Sequence, residues 1–207
     1  MISPAKTSLA ALAAALALAG CASNKVASSG ETAPSAKPAH HKATAPAQTI
    51  GGAVVDADAT IAANIAKAPN LTTLVKAVGA AGLTETLAGP GPYTVFAPTN
   101  AAFGRLAPGT VETLLKPENR ASLVKLLDYS IVAGRVTAAD LRHRIAAGNG
   151  TTTLTTIEGD PLTVTLTQNI ITLTDVNGNK SYVQADDITQ SNGIVHVVNG
   201  VLIPNLA

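Results

Sequence analysis

From Asp58 to Ala147 apolar side chains recur every three or four positions, and from Thr151 onward they alternate with polar ones. That change of period separates a helical half from a sheet half. Ile61 and Ile65 stand four apart behind Asp58 and Thr60, either of which can cap a short helix that Pro69 ends. Asn70 can cap the next helix, where Leu71, Leu74, Val75 and Val78 at i, i+3, i+4 and i+7 form a core-facing stripe. Gly79 and Gly82 weaken it, Leu83 and Leu87 predict a further turn, and Gly89-Pro90 is a stop. Thr94-Val95-Phe96-Ala97 then reads as a short buried strand. Pro98 cannot extend its ladder, and Asn100 suits the cap of the helix that follows.

Phe103 and Leu106 share a helical face up to Pro108-Gly109, and Thr110 can cap a turn bearing Val111, Leu114 and Leu115. Pro117-Glu118 suits a helix start, because proline lacks the orphan amide and the carboxylate complements the helix dipole; Leu123, Leu126 and Leu127 are its buried set. Tyr129 to Val132 is a predicted strand. Thr137-Ala138-Ala139-Asp140 resembles a capping box, with Asp where Glu or Gln is usual, and opens a helix with Leu141 and Ile145 on one face. Gly148-Asn149-Gly150 ends it. Beyond, Leu162, Val164 and Leu166 alternate with Thr163, Thr165 and Thr167. Asn177-Gly178 marks a hairpin between Ile170 to Thr174 and Ser181 to Gln184, and Ser191-Asn192-Gly193 marks a second turn. Ile194 to Val198 and Val201 to Ile203 are the most hydrophobic strands. Helices first and strands second predict an α+β domain with helices packed at one side of an antiparallel sheet system.

The N-terminal stretch follows neither period. Met1 to Lys6 carries one positive side chain, and Leu9 to Ala19 is an Ala/Leu run of signal-peptide length, too short to span a bilayer comfortably. Leu18-Ala19-Gly20-Cys21 resembles the bacterial lipobox, which implies cleavage between Gly20 and Cys21 and acylation of Cys21. This is the chain's single cysteine, and an exported lone thiol cannot staple its own fold. More than one acyl chain makes anchoring stable, so the mature chain is expected to sit on a membrane without crossing it. Ala22 stands where an aspartate marks inner-membrane retention in such lipoproteins, which implies the outer membrane in a Gram-negative host. From Ala22 to about Thr49 the chain is Ala, Ser, Pro, Thr and Lys with almost no large hydrophobe, the composition of a disordered spacer. The expected organisation is a lipoprotein signal peptide over 1–20, a linker with lipidated Cys21 over 21–49, and one folded domain over 50–207.

Composition narrows the chemistry. Removing the signal removes Lys6 and no acid, which leaves 13 basic and 13 acidic residues. A neutral chain with 2% aromatics and no tryptophan predicts no nucleic-acid partner and no base-stacking platform. His40-His41 lacks a third ligand, and Asp175 with Asp186-Asp187 lacks the spacing and distal Glu of a calcium loop, so no metal or other cofactor is expected. Ser130, His196 and Asp128 are the most hydrolase-like trio, yet no Gly-x-Ser-x-Gly elbow precedes any serine. His196, between apolar neighbours on a strand, reads as a buried neutral imidazole satisfied by hydrogen bonds, and His143 beside Arg142 and Arg144 as part of a polar helix face. No enzymatic activity is expected.

Two segments, Thr94-Val95-Phe96-Ala97-Pro98-Thr99-Asn100-Ala101-Ala102-Phe103 and Ser191-Asn192-Gly193-Ile194-Val195-His196-Val197-Val198-Asn199-Gly200-Val201-Leu202-Ile203-Pro204, resemble the paired signature motifs of the fasciclin domain. Leu114 to Asn119 and Leu126 to Tyr129 match between them. The resemblance covers roughly Thr60 to Pro204 and implies a wedge-shaped β-sandwich with a helical layer along one side. Within it Thr94, Phe96, Pro98, Thr99, Asn100, Phe103, Tyr129, Asn192, Gly193, His196 and Pro204 are motif positions of structural weight. Many fasciclin domains carry a histidine after the tyrosine, in a neighbourhood implicated in adhesive recognition in animal members; here that position is Ser130. The expected function is therefore a membrane-anchored extracytoplasmic module for protein–protein or surface adhesion in the bacterial cell envelope. It would face the periplasm or the cell surface and meet an unknown envelope or extracellular protein. The alternative is a small-molecule or lipid binder using an apolar cleft between helices and sandwich.

Overall fold

The structure is a computed structural model that describes residues 48–205. The predicted signal peptide, the Gly20–Cys21 cleavage point, the acylated Cys21 and the spacer with His40-His41 lie outside the described residues. A hairpin of β1 (Thr49–Ile50) and β2 (Ala53–Val54) leads into α1 (Ile61–Ile65), α2 (Thr72–Ala81) and α3 (Thr84–Ala88). Then come β3 (Tyr93–Pro98), α4 (Asn100–Phe103), α5 (Thr110–Leu114), α6 (Arg120–Asp128), β4 (Ile131–Ala133) and α7 (Ala138–Ala147). Five strands finish the fold: β5 (Thr151–Thr155), β6 (Pro161–Thr167), β7 (Ile170–Thr174), β8 (Lys180–Gln190) and β9 (Gly193–Val198).

The main sheet has seven strands in the order β4-β3-β9-β8-β7-β6-β5, antiparallel throughout except for the parallel pair β3 and β9. β8 serves both halves. Its Lys180–Tyr182 end pairs with β7, and the stretch from Val183 to Gln190 pairs with β9 through register shifts between Val183 and Ala185 and between Ala185 and Ile188. Such bulges bend a strand and strengthen its twist, so β8 carries the ladder round a corner of the sandwich.

Alternation along β3 and β9 feeds two cores. Val95, Ala97, Val195 and Val197 face a helical core with Ile61, Leu71, Leu74, Leu87, Leu123 and Leu127. Phe96 and Val198 face the other way, into a core with Tyr129, Leu141, Ile145, Leu154, Leu162, Val164 and Leu173. The parallel pair needs close backbone approach at its start. A Cβ on Gly193 would lie 2.0 Å from the Tyr93 carbonyl oxygen, so no other residue fits there.

The fold departs from the sequence expectations at its joints. Thr99 caps α4 by accepting from the Ala102 amide, while Asn100 is the first helical residue and caps α2 instead, its Oδ1 accepting from the Thr73 amide at 2.9 Å. Asn70 lies in a 3-10 turn, Pro69–Leu71, rather than capping α2, and Gly109 in left-handed conformation precedes α5 where Thr110 was expected to cap. Of the candidates before α1, Thr60 is the cap. Tyr129 and Ser130 continue the last turn of α6, their amides bonded to Lys125 and Leu127 carbonyls, so the strand begins only at Ile131. Val201 to Ile203 form no strand. The Ile203 amide is held by Asp175 Oδ2 instead of a ladder partner. Leu166 sits near the turn end of the β6–β7 hairpin and is exposed, unlike Leu162 and Val164. Gln48 already belongs to the folded body: its side chain accepts from the Thr189 amide and donates to the Asp187 carbonyl, both at 2.9 Å.

One internal residue fits poorly. Gln190 is 1% exposed, and neither polar atom of its amide has a hydrogen-bond partner among the described residues. A buried unpaired amide costs about 1–3 kcal/mol, whereas an apolar residue of similar shape does not. Gln190→Met is expected to raise the thermal midpoint by several degrees. An unchanged or lowered midpoint would show that the amide is satisfied.

Candidate interaction surface

The strand order leaves β4 and β5 as the sheet's two edges. They meet at a single bridge, Val132 with Thr156, beside which the Ile157 amide donates to the Ile131 carbonyl at 2.8 Å. Away from that bridge the seam opens into a groove of about 490 Å³ lined by residues 132–136 and 153–156 and by Arg144. A smaller concavity of about 290 Å³ adjoins it, sharing Arg135 and bounded by Pro90, Pro92, Ser191 and Asn192.

Buried residues build this surface from behind. Thr94 is fully buried; its hydroxyl donates to the Gly134 carbonyl at 2.7 Å and accepts from the Val136 amide at 2.9 Å. This clamps the turn after β4 from both sides and leaves Arg135 outside, where its guanidinium donates to the Gln190 carbonyl at 3.1 Å. His196 takes the next backbone position. Its Nε2–H donates to the Val136 carbonyl at 3.0 Å while Nδ1 accepts from the Asp187 amide at 3.3 Å, so its two partners fix the tautomer. Asp187, at the β8 bulge with φ of 53°, accepts from the Ala138 amide at the start of α7.

The helix itself is well begun. The Thr137 hydroxyl accepts from the Asp140 amide, and Asp140 Oδ2 accepts from the Thr137 amide, which completes the capping box. These bonds, chiefly the Thr137 backbone one, hold the Asp140 carboxyl below its ordinary 3.8, with a smaller contribution from Arg144. α7 so held carries Arg144 to the groove. Arg142 reaches Asp186 at 3.5 Å, but neither Arg135 nor Arg144 forms a salt bridge among the described residues.

The remaining motif residues are scaffold. Phe96 stacks on His196 with ring centroids 5.4 Å apart and 23° between planes. Pro98 closes β3 opposite Val198, Phe103 is buried in the helical core, and Pro204 is buried at the C-terminal edge. The Tyr129 hydroxyl donates to the Pro161 carbonyl at 2.9 Å and accepts from the Val176 amide; burial pushes its pKa up to about 12. Asn192 accepts from the Ile61 amide and donates to the Leu87 and Gly89 carbonyls, tying α1 and α3 to the start of β9. Asp175 organises the β7–β8 turn around the Asn177 and Asn179 amides, and among the described residues no cluster of His, Cys, Asp and Glu could hold a metal ion.

The hydrolase-like trio is not assembled. Ser130 is buried and donates weakly to the Leu126 carbonyl at 3.4 Å, whereas His196 is committed to Val136 and Asp187. Burial also takes the Tyr129-Ser130 step away from any partner on the surface. Between the helices and the sheet, where an apolar ligand cleft was the alternative expectation, the cavity beside Leu74, Leu87 and Ser130 holds about 10 Å³. That is roughly one water and no acyl chain. Arg135 carried no sequence signal, because only the topology brings its turn against β5.

The comparisons agree with this architecture. The family model of the fasciclin domain matches residues 69–204. The chain is 38% identical over 171 residues to protein sll1483 of Synechocystis, a match covering 83% of this chain and 88% of that protein. It is 34% identical to immunogenic protein MPB70 of Mycobacterium bovis over 66% of this chain and 64% of that one. Its fold is similar to the fasciclin domain pair of the insect cell adhesion molecule fasciclin I, with a TM-score of 0.61 at 18% identity, covering 72% of this chain and 51% of the other. The chain belongs to the fasciclin domain family.

Proposed function

We propose that this protein is a lipid-anchored, extracytoplasmic interaction module of the bacterial cell envelope, held at the outer membrane through acylated Cys21 and docking a protein partner at the groove between β4 and β5. The observation that carries the reading is that groove, the seam of a scaffold whose buried motif residues hold two arginines at an open pair of sheet edges. The lipobox-like Leu18 to Cys21 supports the anchor, and the Ala/Ser/Pro composition after it supports a spacer. Kinship with a domain pair from a cell adhesion molecule supports the interaction role.

Capture from intact envelopes, run beside lipid extraction of the purified protein, tests the role. A stoichiometric protein partner is expected; a retained stoichiometric lipid with no protein partner would overturn the reading. Mass spectrometry of the mature N-terminus tests the anchor, and an unmodified Cys21 or cleavage at another bond would remove it.

A further inference from the structure

We infer that the groove between β4 and β5 takes an extended, acidic peptide segment of a partner protein as an added strand, with Arg135 and Arg144 receiving its carboxylates. The inference rests on the interaction-module reading and names the chemistry of the partner.

The backbone supplies the first half of the case. In a strand, successive residues turn their N–H and C=O to opposite edges. On β5 the Thr156 amide donates toward β6, to Asp160, and the Thr151 amide donates away from it, to Gly148. Thr153 and Thr155 therefore turn their polar groups outward with Thr151, to the side where β5 has no neighbouring strand. On β4 the Ser130 carbonyl and the Gly134 amide bond to the β3 side, at Phe96 and Pro92, which leaves Ile131 and Ala133 facing the seam. Only the single bridge at Val132 and Thr156 spans the two edges. The β5 wall of the groove thus offers main-chain donors and acceptors in strand geometry, while on the β4 wall the Ile131 carbonyl is already taken by the Ile157 amide; an extended peptide satisfies such an edge and a compact ligand does not.

Charge selects the occupant. Arg135 and Arg144 line the groove and no carboxylate does. Guanidinium groups favour paired, bidentate contact with carboxylates. The chain's own N-terminal stretch is excluded by the same criterion, because residues 21–47 carry Lys25, Lys37 and Lys42 against the single acid Glu31. A second copy presenting its own β5 edge brings threonines and no charge. An acidic strand from another protein is the occupant that satisfies the β5 edge and both arginines.

The full-length lipoprotein in detergent micelles is titrated against a short fluorescent peptide of alternating Glu and Val, read by anisotropy. Saturable binding is expected, with none for the Lys/Val counterpart. Arg135→Gln combined with Arg144→Gln should weaken binding about tenfold or more at an unchanged thermal midpoint. Thr153→Pro, which removes an outward amide without touching the β6 ladder, should weaken it as well. Equal binding of both peptides, or Glu/Val binding indifferent to the double arginine variant, would overturn the proposal. So would competition by inorganic phosphate as strong as that by unlabelled peptide, since capture of a point charge needs no strand. If the peptide fails to bind while envelope capture yields a stoichiometric partner, the acidic-strand assignment falls and the interaction-module reading stands.

Discussion

Asn192→Ala is expected to destabilise the domain by about 4 kcal/mol, because it strands three largely buried backbone groups at roughly 1–3 kcal/mol each. The Ile61 amide loses its acceptor at 2.9 Å, and the Leu87 and Gly89 carbonyls lose their shared donor at 2.8 Å. These are groups on α1, on α3 and just beyond it, so the loss loosens two helices at once. Thermal denaturation should show a midpoint lower by about 10 °C. Asn192→Asp is the sharper variant. It keeps an acceptor for Ile61 but turns an oxygen toward two carbonyl oxygens, so it should be no better than Ala. If Asp proved nearly neutral, the donor side of this side chain would carry no weight.

His196 gives the second large effect, and it depends on pH. Burial holds its imidazole below the ordinary histidine value of 6.5, opposed by the Val136 carbonyl and by the charges of Asp187 and Asp186. Above 6.5 the ring is neutral whether the chain is folded or not, and its contribution to stability is complete. As pH falls from 6.5 toward the lower folded value, the unfolded chain binds a proton that the folded chain refuses, so stability drops by up to about 1.4 kcal/mol per pH unit. Protonation would also turn the Nδ1 acceptor into a donor facing the Asp187 amide. His196→Gln should abolish this slope and cost about 1 kcal/mol at neutral pH through the lost stack on Phe96. Parallel pH–stability curves for the two proteins would mean the ring is not the titrating group.

Much of the architecture was legible in the chain because local chemistry and tertiary context agree. The stripe of Leu74 and Val78, the box at Thr137 and Asp140, and the Asn177-Gly178 turn each stand where their residue types predict. The misplacements share one cause. Asn70 and Asn100 are both competent caps locally, yet the cap of α2 comes from Asn100, a residue 27 positions away, and no periodicity carries that information. Tyr129 reads as the start of a strand by propensity, but its amide closes the last turn of α6. The full length of β8 is not legible in the sequence, because bulges and the acidic pair Asp186-Asp187 break its alternation. The groove was illegible for the same reason at larger scale. Thr94 and His196 are motif positions in the sequence, while Arg135 gains its setting only when the edges of β4 and β5 meet.

The entry of the chain at Gln48 has a mechanical consequence. Load applied from the N-terminal side reaches the domain first through the two hydrogen bonds of that side chain to Asp187 and Thr189, and then through a hairpin of two-residue strands. Those few bonds yield one after another, whereas β3 and β9 run side by side over six registered pairs and must shear together. A pull on this end therefore peels the hairpin and draws Ile50 out of the helical core before it can shear β3 from β9.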